Sequence, residues 1–176
     1  MTSLLVDLRG NGGGELDSFV RLAGDFLEDG ALIVTLVDSD GDEVERRARQ
    51  SRDYAFPVAL LVDAGTASAA ELFAGCLQVH GRGIVVGERT YGKGEAQTVV
   101  PRADGTVVYA SVVTLALPGG RSVQGVGVEP DLPSARGDVE AWRAMAERLP
   151  RALQDALLHL WKSHTINTDT TERTGR

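Results

Sequence analysis

The chain is predicted to be an α/β domain with a largely parallel, buried sheet. Three features carry that prediction. Apolar runs of strand length recur through the first half, among them SLLVDL (3–8), ALIVTLV (31–37), FPVALLV (56–62) and IVV (84–86). They are near-continuous rather than alternating, as in strands covered on both faces. Helical segments alternate with them, and glycine clusters punctuate the joins.

Each element follows from its own residues. Ser3–Leu8 reads as a strand that ends in the glycine-rich RGNGGG. Leu16, Phe19, Val20, Ala23, Phe26 and Leu27 then recur at helical spacing until Gly30, a residue suited to closing a helix. Ala31–Val37 reads as a buried strand, DSDGDE as a turn and Val44–Arg49 as a returning edge strand. Phe56–Val62 is the next strand, followed by a helix from Ser68 to Val79 and a strand over Ile84–Val86. Gln97–Pro101 and Thr106–Leu117 are expected to pair as a hairpin about Asp104-Gly105. From Gly137 to Lys162 the apolar residues again recur at helical spacing, with Pro150 expected to break or kink the segment. The closing TINTDTTERTGR has no such period and reads as disordered. The expected division is a core over 1–135, a helical segment over 136–165 and a tail over 166–176.

Composition narrows the function. The 176 residues, 43% of them apolar, are enough for one sizeable core. Acidic residues outnumber basic ones 25 to 18, which argues against a nucleic-acid partner. Arg46, Arg47, Arg49 and Arg52 form a local basic run without interleaved aromatics for base stacking, so a solvated edge is expected. Cys76 is the single cysteine, so neither an internal disulfide nor a cysteine-built zinc site is expected. It shares a predicted helix face with His80, too few ligands for a structural metal, and a buried thiol is the expectation. No apolar run approaches the roughly 20 residues of a membrane span. The opening MTSLLVDLRG lacks the charged and long apolar regions of a signal peptide, and its abrupt entry into a strand suggests upstream sequence.

Three stretches could carry chemistry. Ser68-Ala69-Ala70-Glu71 matches the S-x-x-E capping box, which explains the serine without any reaction. A helix start also suits a nucleophile, because its free amides and dipole favour negative charge. Gly65, Ala67, Ala69 and Ala70 are small, so a substrate backbone could approach. Lys93, between Gly92 and Gly94, is either a solvated turn charge or a general base. A lysine acts as a base only when neutral, which requires its ordinary value of about 10.4 to fall to roughly 7–8. Gln97, four residues on, could offer it an amide oxygen. Ser–Lys pairs meet the same need as Ser–His–Asp triads. His80 lies far down the helix from Ser68, and His159 and His164 lie near the end of the chain, so the histidines are poor competitors. In Asp7–Gly14 (DLRGNGGG), successive glycine amides between a strand and a helix could face an anion. The run lacks the Walker Lys-Ser/Thr and the dinucleotide spacing, whereas oxyanion donors for acyl transfer fit it well.

DLRGNGGG, GTASAAE (65–71) and GERTYGKGEAQ (87–97) stand in an order that resembles the carboxyl-terminal processing proteases, the tail-specific serine peptidases of family S41. LALPGGRSVQGVGVEPDLP (115–133) resembles the family's closing segment, so the similarity runs from about Leu4 to Asp131. Gly12 stands where many members have Pro, and Ala70 where many have Ser. The resemblance implies a ClpP/crotonase-like superhelical α/β core, with the family's N-terminal strands and PDZ domain expected to lie outside this chain. It implies Ser68 as nucleophile, Lys93 as general base and Gln97 as the residue orienting the lysine. Amides of Gly13, Gly14 and Ala69 would form the oxyanion hole. The implied substrates are proteins cut at or near nonpolar C-terminal tails, with no metal or organic cofactor. Members are usually exported. Two other readings come from the same fold: a noncatalytic binding module for peptides or apolar ligands, or an inactive fragment, and an acyl-CoA enzyme that needs no Ser–Lys pair.

Overall fold

A computed structural model describes residues 3–49, 51–52, 54–133, 147, 149–151 and 153–154. Among the described residues of 3–133, nine strands and two helices follow in the order β1 (Leu4–Asp7), α1 (Leu16–Gly24), β2 (Leu32–Asp38), β3 (Glu43–Arg47), β4 (Val58–Val62), α2 (Ala69–Val79), β5 (Ile84–Gly87), β6 (Glu95–Pro101), β7 (Val107–Leu117), β8 (Arg121–Ser122) and β9 (Leu132–Pro133). Most elements lie where the sequence places them, within a few residues. The short β8 and β9 carry too few residues for a periodicity to register.

The sheet prediction needs one correction. The strands form two sheets. One is parallel, in the order β1-β4-β5-β9. The other is antiparallel, β3-β2-β7-β6 with β8 on β7. The apolar run ALIVTLV, expected in the parallel sheet, instead pairs antiparallel with β3 and β7. A run of apolar residues reports burial, and burial does not say which strand lies alongside.

The strand β4 lies inside the parallel sheet and is covered on both faces. All five of its residues are buried. Their side chains alternate between faces: Val58, Leu60 and Val62 join the main core, while Ala59 and Leu61 join a second cluster with Val86, Leu132, Leu149 and Leu153. The predicted C-terminal helix falls mostly outside the described residues, as does the tail. Within the described part, the Pro150 carbonyl accepts from the N–H groups of Leu153 and Gln154, so a helical turn begins at the proline.

Helix α2 is apolar on nearly every side, and Ala70 to Leu77 are all buried. It packs on α1, β4, β5 and β7, which makes it the spine of the main core. The Cys76 thiol lies within that core, where burial pushes it up to about 12. The Nε2 of His80 lies 2.7 Å from the Leu32 carbonyl oxygen. The arginine run behaves as an edge. Arg47 pairs with Glu45, and Arg52 pairs with Asp25.

Parallel strands leave a sheet on one side. β1 runs into the glycine loop, β4 into the loop before Ser68, and β5 into the loop that holds Lys93. Three motifs scattered over 90 residues of sequence therefore meet at one carboxyl edge, where open α/β sheets place their ligand crevice.

Candidate active site

The glycine loop and the serine loop are tied together before either contributes chemistry. Asp63 Oδ1 accepts the N–H of Gly10 (2.8 Å) and of Gly65 (2.9 Å). The buried Thr66 hydroxyl donates to the Leu8 carbonyl at 2.8 Å. The Ala67 N–H donates to the Asn11 carbonyl at 2.9 Å. Gly13, with φ of 100°, presses against the serine, where a Cβ would fall 2.7 Å from the Ala67 oxygen, 2.8 Å from Ser68 Cβ and 2.9 Å from the Ala69 nitrogen. Only a residue without a side chain fits there.

Ser68 caps α2 in an unusual backbone state. Its φ of 55° and ψ of −129° make it the one non-glycine residue with positive φ among the described residues. A capping serine ordinarily has extended backbone and needs no such strain. Holding this conformation costs about 1–3 kcal/mol, and strain of this kind collects where a nucleophile is presented on a sharp strand-to-helix turn. The local sequence around Ser68 favours the cap over the nucleophile. Capping alone does not require this backbone state.

Glu71 is the residue that sequence reasoning undervalued. The capping-box spacing assigns it one bond, to the serine amide, and that bond exists: Ser68 N–H donates to Oε2 at 2.9 Å. The side chain is fully buried and accepts three more. Lys93 N–H donates to Oε2 at 2.7 Å, Gly92 N–H to Oε1 at 2.9 Å and the Thr90 hydroxyl to Oε1 at 2.6 Å. Thr90 Oγ1 in turn accepts the Val128 N–H at 2.7 Å, which brings the closing segment of the chain to the site. The one local signal was that a charged residue stands in a helix whose other residues, apart from Gln78, are apolar.

The lysine loop is held from its other side as well. Gly94 N–H donates to Gln124 Oε1 at 2.6 Å, and Gly125 N–H to the Gly92 carbonyl at 2.9 Å. Ser68 and Lys93 are both half-buried. Their amides share one carboxylate oxygen, so the two backbones are neighbours across 25 positions of sequence.

The remaining expected residues are placed differently. Gln97 is exposed on β6, immediately after a register shift between Ala96 and Gln97, and no hydrogen bond joins it to Lys93 among the described residues. The Gly13 N–H is already engaged, donating to Asn11 Oδ1 at 2.9 Å. Gly14 follows it in the loop, and the Ala69 amide lies in the first turn of α2, where helical N–H groups have no intrahelical acceptor. Arg9 folds back on Asp7 in a two-pronged pair, which raises the guanidinium above its ordinary value. Among the described residues no cluster of three or more His, Cys, Asp or Glu side chains is disposed to hold a metal, and no helix is long and apolar enough to cross a membrane.

Comparison with known proteins agrees with this arrangement. The model of "Peptidase family S41" matches residues 1–134. The chloroplastic C-terminal processing peptidase of Tetradesmus obliquus is 39% identical over 133 residues, covering 75% of this chain and 28% of that protein. The carboxy-terminal processing protease CtpB of Bacillus subtilis is 31% identical over 135 residues, covering 77% and 28% respectively. Among solved structures, the photosystem II D1 C-terminal processing protease matches with a TM-score of 0.69 at 40% identity, over 77% of this chain and 35% of that one. Tricorn protease, at 19% identity and a TM-score of 0.50, shares the fold. The chain thus spans less than a third of the length of these two curated relatives. An α/β core with its three motif loops gathered at one sheet edge, and the family match over those same residues, show that the chain belongs to peptidase family S41.

Proposed function

We propose that this chain carries the catalytic segment of a serine endopeptidase that cuts proteins at or near nonpolar C-terminal tails, with Ser68 and Lys93 as its dyad. The observation that carries the reading is the strained backbone of Ser68 at the start of α2, beside the loop that bears Lys93. In this mechanism the Ser68 hydroxyl attacks the scissile carbonyl. Neutral Lys93 takes the hydroxyl proton and gives it to the departing amine, which leaves an acyl-enzyme ester. Water, deprotonated by the same lysine, then releases the acid. The developing oxyanion is met by amides of Ala69 and Gly14, and by that of Gly13 once Asn11 releases it. Gln97 orients the lysine only if the exposed start of β6 turns inward when substrate binds. Cleavage near the C-terminus follows from the relatives, which are C-terminal processing proteases, and the nonpolar-tail preference from the motif resemblance.

The test is labelling of the full chain with a fluorophosphonate serine probe. Labelling is expected in the wild type, none in Ser68→Ala, and a rate reduced by about 100-fold or more in Lys93→Ala, the usual worth of a general base. Equal labelling of Lys93→Ala would remove the dyad. A folded wild-type chain that takes no label would favour a noncatalytic binding module. Cleavage of peptides ending in Ala or Val against the same peptides ending in Asp or Lys then tests the substrate class.

A further inference from the structure

We infer that Glu71 is a positioning residue whose carboxylate sets the distance between the nucleophile and its base. This rests on the Ser–Lys reading above and extends it to a residue that touches neither substrate nor the reacting atoms.

The capping box explains one of the four hydrogen bonds that Glu71 accepts. The other three come from Thr90, Gly92 and Lys93, a segment 19 to 22 positions further on and separated from α2 by β5. An ordinary cap has no reason to collect them. All four partners are N–H or O–H donors, which suits a carboxylate as a pure acceptor. The two oxygens divide the work. Oε2 holds the amides of Ser68 and Lys93, while Oε1 holds Gly92 and the Thr90 hydroxyl that also anchors Val128. With the carboxylate fully buried, no water replaces a lost partner cheaply. The loop bearing Lys93 is therefore referenced to the N-terminus of α2 through one side chain. A glutamine of equal size brings an NH2 group against two donors at one of the oxygens. An aspartate is one methylene too short to keep both pairs. Either change leaves the helix cap largely replaceable but shifts the base relative to the hydroxyl, and a misplacement near 1 Å costs a reaction about 100-fold.

The test compares Glu71→Gln and Glu71→Asp with wild type in the full chain, using two measurements. The first does not need activity. Amide hydrogen exchange is expected to show Ser68, Gly92 and Lys93 protected in the wild type and jointly less protected, by about tenfold or more, in Glu71→Gln, with Leu60 and Leu61 of β4 unchanged. Unchanged protection at those three amides overturns the inference. The second is the rate of fluorophosphonate labelling as a function of pH. Glu71→Gln is expected to lose about 100-fold and to displace the inflection set by the base, with partial recovery in neither variant. Labelling at the wild-type rate and pH profile in Glu71→Gln overturns the inference while leaving the dyad intact. If the wild type takes no label, the dyad reading falls, and the exchange measurement still decides the role of Glu71. Should Glu71→Gln lose protection throughout β4 as well, Glu71→Asp is the variant that decides. Loss confined to residues 68 and 90–93 upholds the inference, and global loss there too reduces Glu71 to a stabilising residue.

Discussion

Two ends of this molecule are built on opposite principles. At the carboxyl edge of the parallel sheet, buried polar groups hold the chain: Glu71, Thr66 and Thr90 are all buried and all bonded across loops distant in sequence. In the β6–β7 hairpin the situation is reversed. Val99, Val100, Val107, Val108 and Val112 are all exposed, and successive valines along a strand face opposite sides of the ribbon. The hairpin is joined by its own backbone ladder and by a turn in which Asp104 accepts from Thr106, which holds the carboxylate below its usual range. The contrast shows where specificity of position resides. Apolar burial favours compactness without choosing a geometry. Directional bonds to buried oxygens choose one, and they are concentrated where three loops have to agree within ångströms.

Substitutions can break that contrast or sharpen it. The largest stability effect is expected in the parallel sheet whose carboxyl edge carries the site. Leu60→Ala should destabilise by about 2–5 kcal/mol, measured as a lower denaturant midpoint at constant slope, because a fully buried side chain leaves a cavity. Gly13→Ala comes next. Its Cβ has to displace backbone atoms of residues 67 and 69 at a positive φ, so about 1–3 kcal/mol of stability should be lost together with serine labelling. Ser68→Gly should move the other way. Removing a side chain from a strained φ of 55° is expected to raise stability by about 1 kcal/mol while abolishing labelling, since the lost cap costs only a few tenths. A fall in stability there would mean that the serine backbone is unstrained. The smallest effect is expected on the hairpin, where Val99→Thr or Val108→Thr should change stability by no more than about 0.5 kcal/mol. A loss beyond 2 kcal/mol would mean that the hairpin is a packed element, and the comparison would fail.

Legibility in the sequence followed the range of the interaction. The extents of β1, β4, α2 and β5 could be read from apolar runs and capping signals, because each is settled within a dozen residues. The hairpin was legible for the same reason, its Asp-Gly turn lying between two runs rich in valine. The candidate site was half legible. Ser68, Lys93 and the glycine loop stood out as residue types in unusual company, whereas Asp63, Thr66 and Thr90 looked like ordinary loop residues. Gln97 is a different case. It stands four positions from Lys93 in sequence, and in the fold it is exposed on β6 just past the register shift at Ala96.

What the sequence determined by itself was therefore local: which segments are strands or helices, where glycine has to stand, and the order of the motifs. Tertiary structure alone decided that β2 joins the antiparallel sheet, that Asn11 occupies the Gly13 amide, and that Glu71 receives four donors instead of one. The physical reason is common to all three. Periodicity and capping record what a residue needs from its neighbours in the chain, but a strand edge or a buried oxygen accepts any donor of suitable geometry. Which donor arrives is settled only when the whole chain has packed.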